Sequence, residues 1–174
     1  MKKLIFTFAL TLITSLSTLN AEEIAPTFTL TTIDNKTINI TETKEGLDFK
    51  EFKGKAVLIA LFGHRCPPCL KEIPEFIKLT NKHKEDLAIV ALEAQNYPSD
   101  AVKKFSTEHE MNYNVIAGIN HNDFISYIAQ RAGYNNGIPL PLLISIDKYG
   151  EVQGVQAGQL REDELEFLVK DLNE

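Results

Sequence analysis

Apolar and polar positions alternate along the chain in two rhythms. Residues 28–33 (Phe-Thr-Leu-Thr-Thr-Ile) and 37–40 (Thr-Ile-Asn-Ile) step with a period of two. Asp34-Asn35-Lys36 between them is turn material, so the pair predicts a hairpin. Residues 42–54 are charged and irregular, with Phe49 and Phe52 as packing points. Residues 56–62 (Ala-Val-Leu-Ile-Ala-Leu-Phe) are apolar without interruption, the pattern of a strand covered on both faces. Residues 87–92 form a second such run, and 113–117 and 141–147 give two further strands, the last paired with 151–155 across Lys148-Tyr149-Gly150.

Helical spacing fills the intervals. Residues 67–83 carry Leu70, Ile73, Ile77 and Leu79, with a kink expected at Pro74. Ser99 is positioned to cap a helix to about Glu110 with Val102 and Phe105 inward. Phe124, Ile125, Ile128 and Ala132 share a face over 122–132, as do Leu165, Leu168, Val169 and Leu172 at the C-terminus. The order is a hairpin followed by β-α-β-α-β-α-β-β-α. That order predicts an α/β domain with a mixed central sheet and helices on both faces.

The N-terminus follows a different rule. Met1-Lys2-Lys3 precedes an uncharged apolar stretch over 4–19, and Ala21 then meets Glu22-Glu23. This is the layout of a signal peptide over 1–21, with a domain over 22–174 and export to the periplasm. The stretch is shorter than the roughly 20 residues that span a bilayer comfortably. An uncleaved anchor is the alternative, and the only membrane contact foreseen. Cleavage removes Lys2 and Lys3 and takes the formal charge from −6 to −8. So acidic a chain lacks the basic stripe of a nucleic-acid binder.

Export changes the meaning of the cysteines, because disulfides persist outside the cytosol. The chain has two, Cys66 and Cys69. Closing so short a loop removes little entropy from the unfolded chain, so the pair points to reactivity rather than bracing. It follows a buried strand and opens a helix, where unpaired N–H groups and the helix dipole stabilise a thiolate. Pro67 and Pro68 suit a first turn but remove two donors. Leu70 after Cys69 excludes a haem-attachment CxxCH. One CxxC without a second Cys or His pair makes a weak zinc site, so no metal is assigned. Soft-metal binding and an inert pair are the other readings.

Strand–CxxC–helix, Pro74 within the helix and Ile138-Pro139-Leu140-Pro141 ahead of a hairpin resemble the thioredoxin fold. Ala25-Pro26-Thr27-Phe28-Thr29-Leu30, the run Phe62-Gly63-x-x-Cys66-x-x-Cys69-x-x-Glu72-x-Pro74 and Ile146-Asp147-Lys148-Tyr149-Gly150 resemble the TlpA/ResA/CcmG group of exported thiol–disulfide oxidoreductases. The resemblance implies a thioredoxin-like fold with an N-terminal hairpin extension. It implies Cys66 as attacking thiolate and Cys69 as resolving thiol, the former the more exposed. It gives Glu72 a part in tuning or relaying the cysteines' protons. It implies that Pro141, rather than Pro139, is the cis-proline that sets the Leu140 backbone beside Cys66 to hold a client strand. The redox-active Cys66–Cys69 disulfide serves in place of any cofactor.

Two departures stand out. The family's usual Trp before the first cysteine is Arg65, preceded by His64, and thioredoxin's buried Asp is replaced by Ala60. Arg65 beside Cys66 is a candidate for lowering its pKa or for touching the client. Glu93, at the end of its strand, is expected at the core edge or surface rather than at the site. The resemblance implies, as the leading function, reduction of client protein disulfides with electrons from a membrane thiol donor, in an apocytochrome c maturation type of role. A DsbA-like oxidase is the runner-up. A Cu(I)-handling module using the same thiolates is the second class, although copper proteins of the Sco type space their cysteines as CxxxC.

Overall fold

The computed structural model of the chain describes residues 25–174. The expected signal segment, 1–21, lies outside the described residues. Strands β1 (Thr27–Thr31), β2 (Thr37–Glu42) and β3 (Leu47–Phe49) form an antiparallel sheet in the order β1-β2-β3. Strands β4 (Ala56–Phe62), β5 (Leu87–Glu93), β6 (Asn114–Ala117), β7 (Leu142–Ile146) and β8 (Val152–Ala157) form the central sheet in the order β6-β5-β4-β7-β8. β4 pairs with β5 in parallel and with β7 antiparallel, so the sheet is mixed as expected.

The uninterrupted apolar runs have the predicted cause. Every residue of β4 and of β5 is buried. Alternate side chains of β4 serve opposite cores. Ala56, Leu58, Ala60 and Phe62 pack beneath helices α1 (Pro67–Lys82), α2 (Ser99–Glu108) and α4 (Glu162–Leu172), through Phe76, Leu79, Val102, Leu165 and Val169. Val57, Ile59 and Leu61 face the other way. Helix α3 (Asn122–Arg131) and the three-stranded sheet cover them, through Phe124, Ile128, Leu30, Ile38 and Ile40.

Two local expectations need correction. The hairpin is a three-stranded sheet, because Leu47 and Phe49 alternate with exposed Asp48 to make β3. Three residues are too few for periodicity to reveal. Ser99 is not a cap: Pro98 holds that position, and the Ser99 hydroxyl instead accepts a hydrogen bond from Asn120 at 2.8 Å. Helix α1 runs unbroken through Pro74, which sits on its exposed side.

Phe124 locks the smaller sheet to the domain. It is fully buried, and its ring lies edge-on to Phe28 of β1 at 5.0 Å. Phe124→Ala is expected to lower the unfolding free energy by about 3–5 kcal/mol in a urea titration. A loss under about 1 kcal/mol would mean that α3 and β1 collapse into the space without cost.

Candidate functional site: a disulfide at the start of a helix

The continuous strand β4 delivers the chain to the carboxyl edge of the sheet, where Gly63, His64 and Arg65 turn it into α1. Cys66 is the N-cap of that helix, with extended backbone (φ −116°, ψ 97°). Pro67 and Pro68 occupy the first two helical positions and have no N–H to offer. The first available donor is the Cys69 N–H, and it donates to Cys66 Sγ at 3.3 Å. Cys66 thus caps the helix with sulfur in the place where Ser or Asp ordinarily puts oxygen.

Cys66 and Cys69 are joined as a disulfide, with Cα atoms 5.2 Å apart. Cys66 is the more exposed, as expected, but both are buried, at 6% and 2%. The Leu140–Pro141 peptide is cis, so Pro141 rather than Pro139 carries the feature the resemblance implies. Half-buried Leu140 packs on the same core cluster that holds both cysteines.

Glu72 lies one turn beyond Cys69 and is not a solvated helix residue: only 3% of it is exposed. Its carboxylate accepts one hydrogen bond, from the Leu160 N–H at 3.1 Å. Burial outweighs that bond and pushes its pKa up to about 7. Tyr113, buried nearby, has its phenol pushed up by burial and by the charge of Glu72. A carboxyl group poised near neutrality, one turn from a thiol, can take up or release a proton under physiological conditions.

Glu93 departs furthest from expectation. It has no exposed surface and lies behind the active-site turn. Its Oε1 accepts from His64 Nδ1 at 2.8 Å, the Gln95 N–H at 3.1 Å and the His64 N–H at 3.4 Å, and its Oε2 from the Tyr97 N–H at 2.8 Å. The His64 ring stacks on Tyr97 with centroids 3.8 Å apart and planes within 7°. Arg65 donates its backbone N–H to Gln95 Oε1 at 2.9 Å and its Nε–H to His64 Nε2 at 3.1 Å. The turn before Cys66 is laced to the loop after β5. Arg65 is exposed, whereas His64 is mostly covered. A polar residue ending a wholly apolar strand, as Glu93 ends β5, was the signal available in the sequence.

The remaining histidines lie apart from the cysteines. His83 pairs with Glu166 at 3.2 Å, and His121 accepts from the Thr31 N–H at 3.2 Å. Among the described residues no cluster of three or more His, Cys, Asp or Glu could hold a metal ion. No helix among them is long and apolar enough to cross a membrane.

Glu72 binds a proton more tightly in the folded chain than the usual value of 4.5 allows. The folded state therefore holds more protons than the unfolded state between about pH 4.5 and 7, and stability falls as pH rises through that window. Glu72→Gln keeps an acceptor for Leu160 and removes the charge. Its stability relative to the parent should rise from pH 4 to pH 8, by roughly 3 kcal/mol at most. Denaturant titrations at the two ends of the range would measure it, and a pH-independent difference would place Glu72 in contact with water.

Comparison with known proteins places this geometry. The family model described as Redoxin matches residues 20–172. A thiol–disulfide oxidoreductase ResA of Bacillus thuringiensis is 34% identical over 148 residues, covering 84% of this chain and 75% of that protein. The ResA of Halalkalibacterium halodurans is 31% identical over 124 residues, covering 70% of this chain; the match spans 65% of that protein's length. Among solved structures, a thiol:disulfide interchange protein of the thioredoxin family from Chlorobium tepidum superposes with a TM-score of 0.64 at 24% identity, covering 86% of this chain and 95% of that one. That likeness concerns the fold, which is thioredoxin-like: a mixed sheet between helices, with the CxxC where β4 gives way to α1. On the match over nearly its whole length, the chain belongs to the Redoxin family.

Proposed function

We propose that the protein is a thiol–disulfide oxidoreductase that reduces disulfides in client proteins, using Cys66 and Cys69 as its only redox centre. The observation that carries the reading is the sulfur cap: Cys66 Sγ accepts the first free N–H of α1. The same bond and the helix dipole favour a thiolate there once the pair is reduced.

In the reaction the Cys66 thiolate attacks one sulfur of a client disulfide. A Cys66–client mixed disulfide forms and one client thiolate leaves. Cys69, deprotonated, then attacks Cys66 Sγ, closing the Cys66–Cys69 disulfide and expelling the second client thiolate. Two electrons pass from the enzyme dithiol to the client. Glu72, poised near neutrality, accepts the Cys69 proton. The main chain at Leu140, ahead of Pro141, holds the client strand by backbone hydrogen bonds, as the resemblance implies. Arg65 stands at the rim as a client contact.

Export through residues 1–21 places this chemistry in the periplasm, where a membrane thiol donor resets the disulfide. Oxidised clients there, apocytochrome c among them, are the substrates the ResA likeness favours. The names of the relatives support the thiol–disulfide chemistry, and the leader-like composition of the N-terminus supports export.

Two measurements test it. The Cys66–Cys69 couple should have a potential of about −250 mV or below, on the side of thioredoxin, whereas a value near about −120 mV would assign a thiol oxidase instead. Cys69→Ala, incubated with a disulfide-bonded client, should accumulate a mixed disulfide through Cys66, because nothing remains to resolve it. Equal trapping by Cys66→Ala would reverse the two roles.

A further inference from the structure

Glu93, His64 and Arg65 form a chain of hydrogen bonds from the sealed end of β5 to the surface next to Cys66. The Nε–H of Arg65 can only donate, so His64 Nε2 is an acceptor. The ring proton is therefore on Nδ1, pointing at the Glu93 carboxylate 2.8 Å away. The stack on Tyr97 keeps the ring from turning. Held through Nε alone, the guanidinium keeps both Nη groups for another partner. The chain's two other arginines have theirs engaged, Arg131 with Glu42 at 3.1 Å and Arg161 with Asp163 and Glu164. Among the described residues Arg65 makes no ion pair, although Asp and Glu outnumber Lys and Arg by 24 to 18.

We infer that Arg65 is a preorganised fork that selects clients carrying a carboxylate beside their disulfide, and that Glu93 and His64 are the positioning residues that hold it. Planar, two-pronged recognition of carboxylate is what a guanidinium does best. Fixing the long side chain in advance removes an ordering cost from client binding. This rests on thiol–disulfide exchange at Cys66 and adds the chemistry of the substrate.

The test uses the full reduced chain and three small disulfides: the dicarboxylate dithiodipropionate, the neutral bis(2-hydroxyethyl) disulfide and the diammonium cystamine. Each is reduced to two thiols as the enzyme dithiol closes to a disulfide. The readout is the ratio of rate constants, dicarboxylate over diammonium, in which any change in Cys66 reactivity common to all three cancels. Arg65→Ala should lower this ratio about two- to fivefold at low ionic strength. The difference should fade as salt rises.

His64→Phe keeps a flat ring on Tyr97 and keeps the charge of Arg65, but removes the Nε2 acceptor. It should lower the ratio too. The double variant His64→Phe/Arg65→Ala should match Arg65→Ala alone, because the two act as one unit. Glu93→Leu, which takes away the acceptor for Nδ1–H together with the charge, separates positioning from plain electrostatics by sign. Losing a negative charge would by Coulomb's law alone favour the anionic disulfide, whereas loss of the relay disfavours it.

A ratio unmoved by Arg65→Ala or by His64→Phe, or raised by Glu93→Leu, overturns the inference. Long-range proton–nitrogen NMR of the unmutated protein checks the relay itself: His64 should carry its proton on Nδ1, and an Nε2–H tautomer would overturn it whatever the variants do. If the reduced protein attacks none of the three disulfides, the exchange reading fails, and that failure is distinct from either of these.

Discussion

A strand with no solvent-facing side has to be covered twice, and β4 imposes that demand on the whole domain. Its seven residues are all buried, with alternate side chains feeding two separate cores. Burying each large aliphatic side chain contributes about 1.5–3 kcal/mol. One core takes three helices, the other a helix and the small sheet. The same strand aims its carboxyl end at the rim of the sheet, and there the chain turns at Gly63 into α1. The cysteines follow directly after that turn, buried at the start of the helix. Their place at a helix start follows from the architecture.

At that rim the fold buries two carboxylates and treats them differently. Glu93 receives four donated hydrogen bonds from three residues of two loops. Glu72 receives one, from Leu160. A buried carboxyl group surrounded by N–H donors is a structural anchor, since its oxygens are satisfied by hydrogen bonds. A buried carboxylate with one donor is left close to its neutral form and becomes a titrating group near pH 7. The difference between an anchor for the turn and a carboxyl raised toward neutrality follows the number of donors.

Much of the fold was legible because β4, β5 and the helical faces carry long, unambiguous periods. The CxxC was legible as a site because its spacing and its place after a buried run have few structural uses. Pro141 was legible only through resemblance, since nothing in Leu140-Pro141 itself distinguishes it from Pro139. Three residues of β3 were too short to read. Glu93 was missed for a physical reason. Three of its four donors are backbone N–H groups, which any residue but proline supplies, so no pattern of side chains announces them. Arg65 was visible as a charge beside Cys66, with His64 as its neighbour. Their hydrogen-bonded order, with Arg65 tied to the ring rather than free in solvent, depends on a tertiary contact across 29 residues of sequence from His64 to Glu93.

Where the resemblance implies a Trp before the first cysteine, this chain places a cation, and the flat surface at the rim comes instead from the His64–Tyr97 stack. A stacked imidazole differs from an indole in one consequential way: it has an acceptor nitrogen. An indole N–H can only donate and could not hold a guanidinium by Nε. The arrangement is therefore a linked set rather than a single replacement. Arg65 needs His64 as acceptor, His64 needs Glu93 to fix its tautomer and Tyr97 to fix its plane, and Glu93 needs the N–H groups of Gln95 and Tyr97 to remain buried. Introducing Trp at residue 65 alone would leave His64 Nε2 without its donor. The rim thus has to change as a unit, and its charge is a property of the two loops together rather than of one residue.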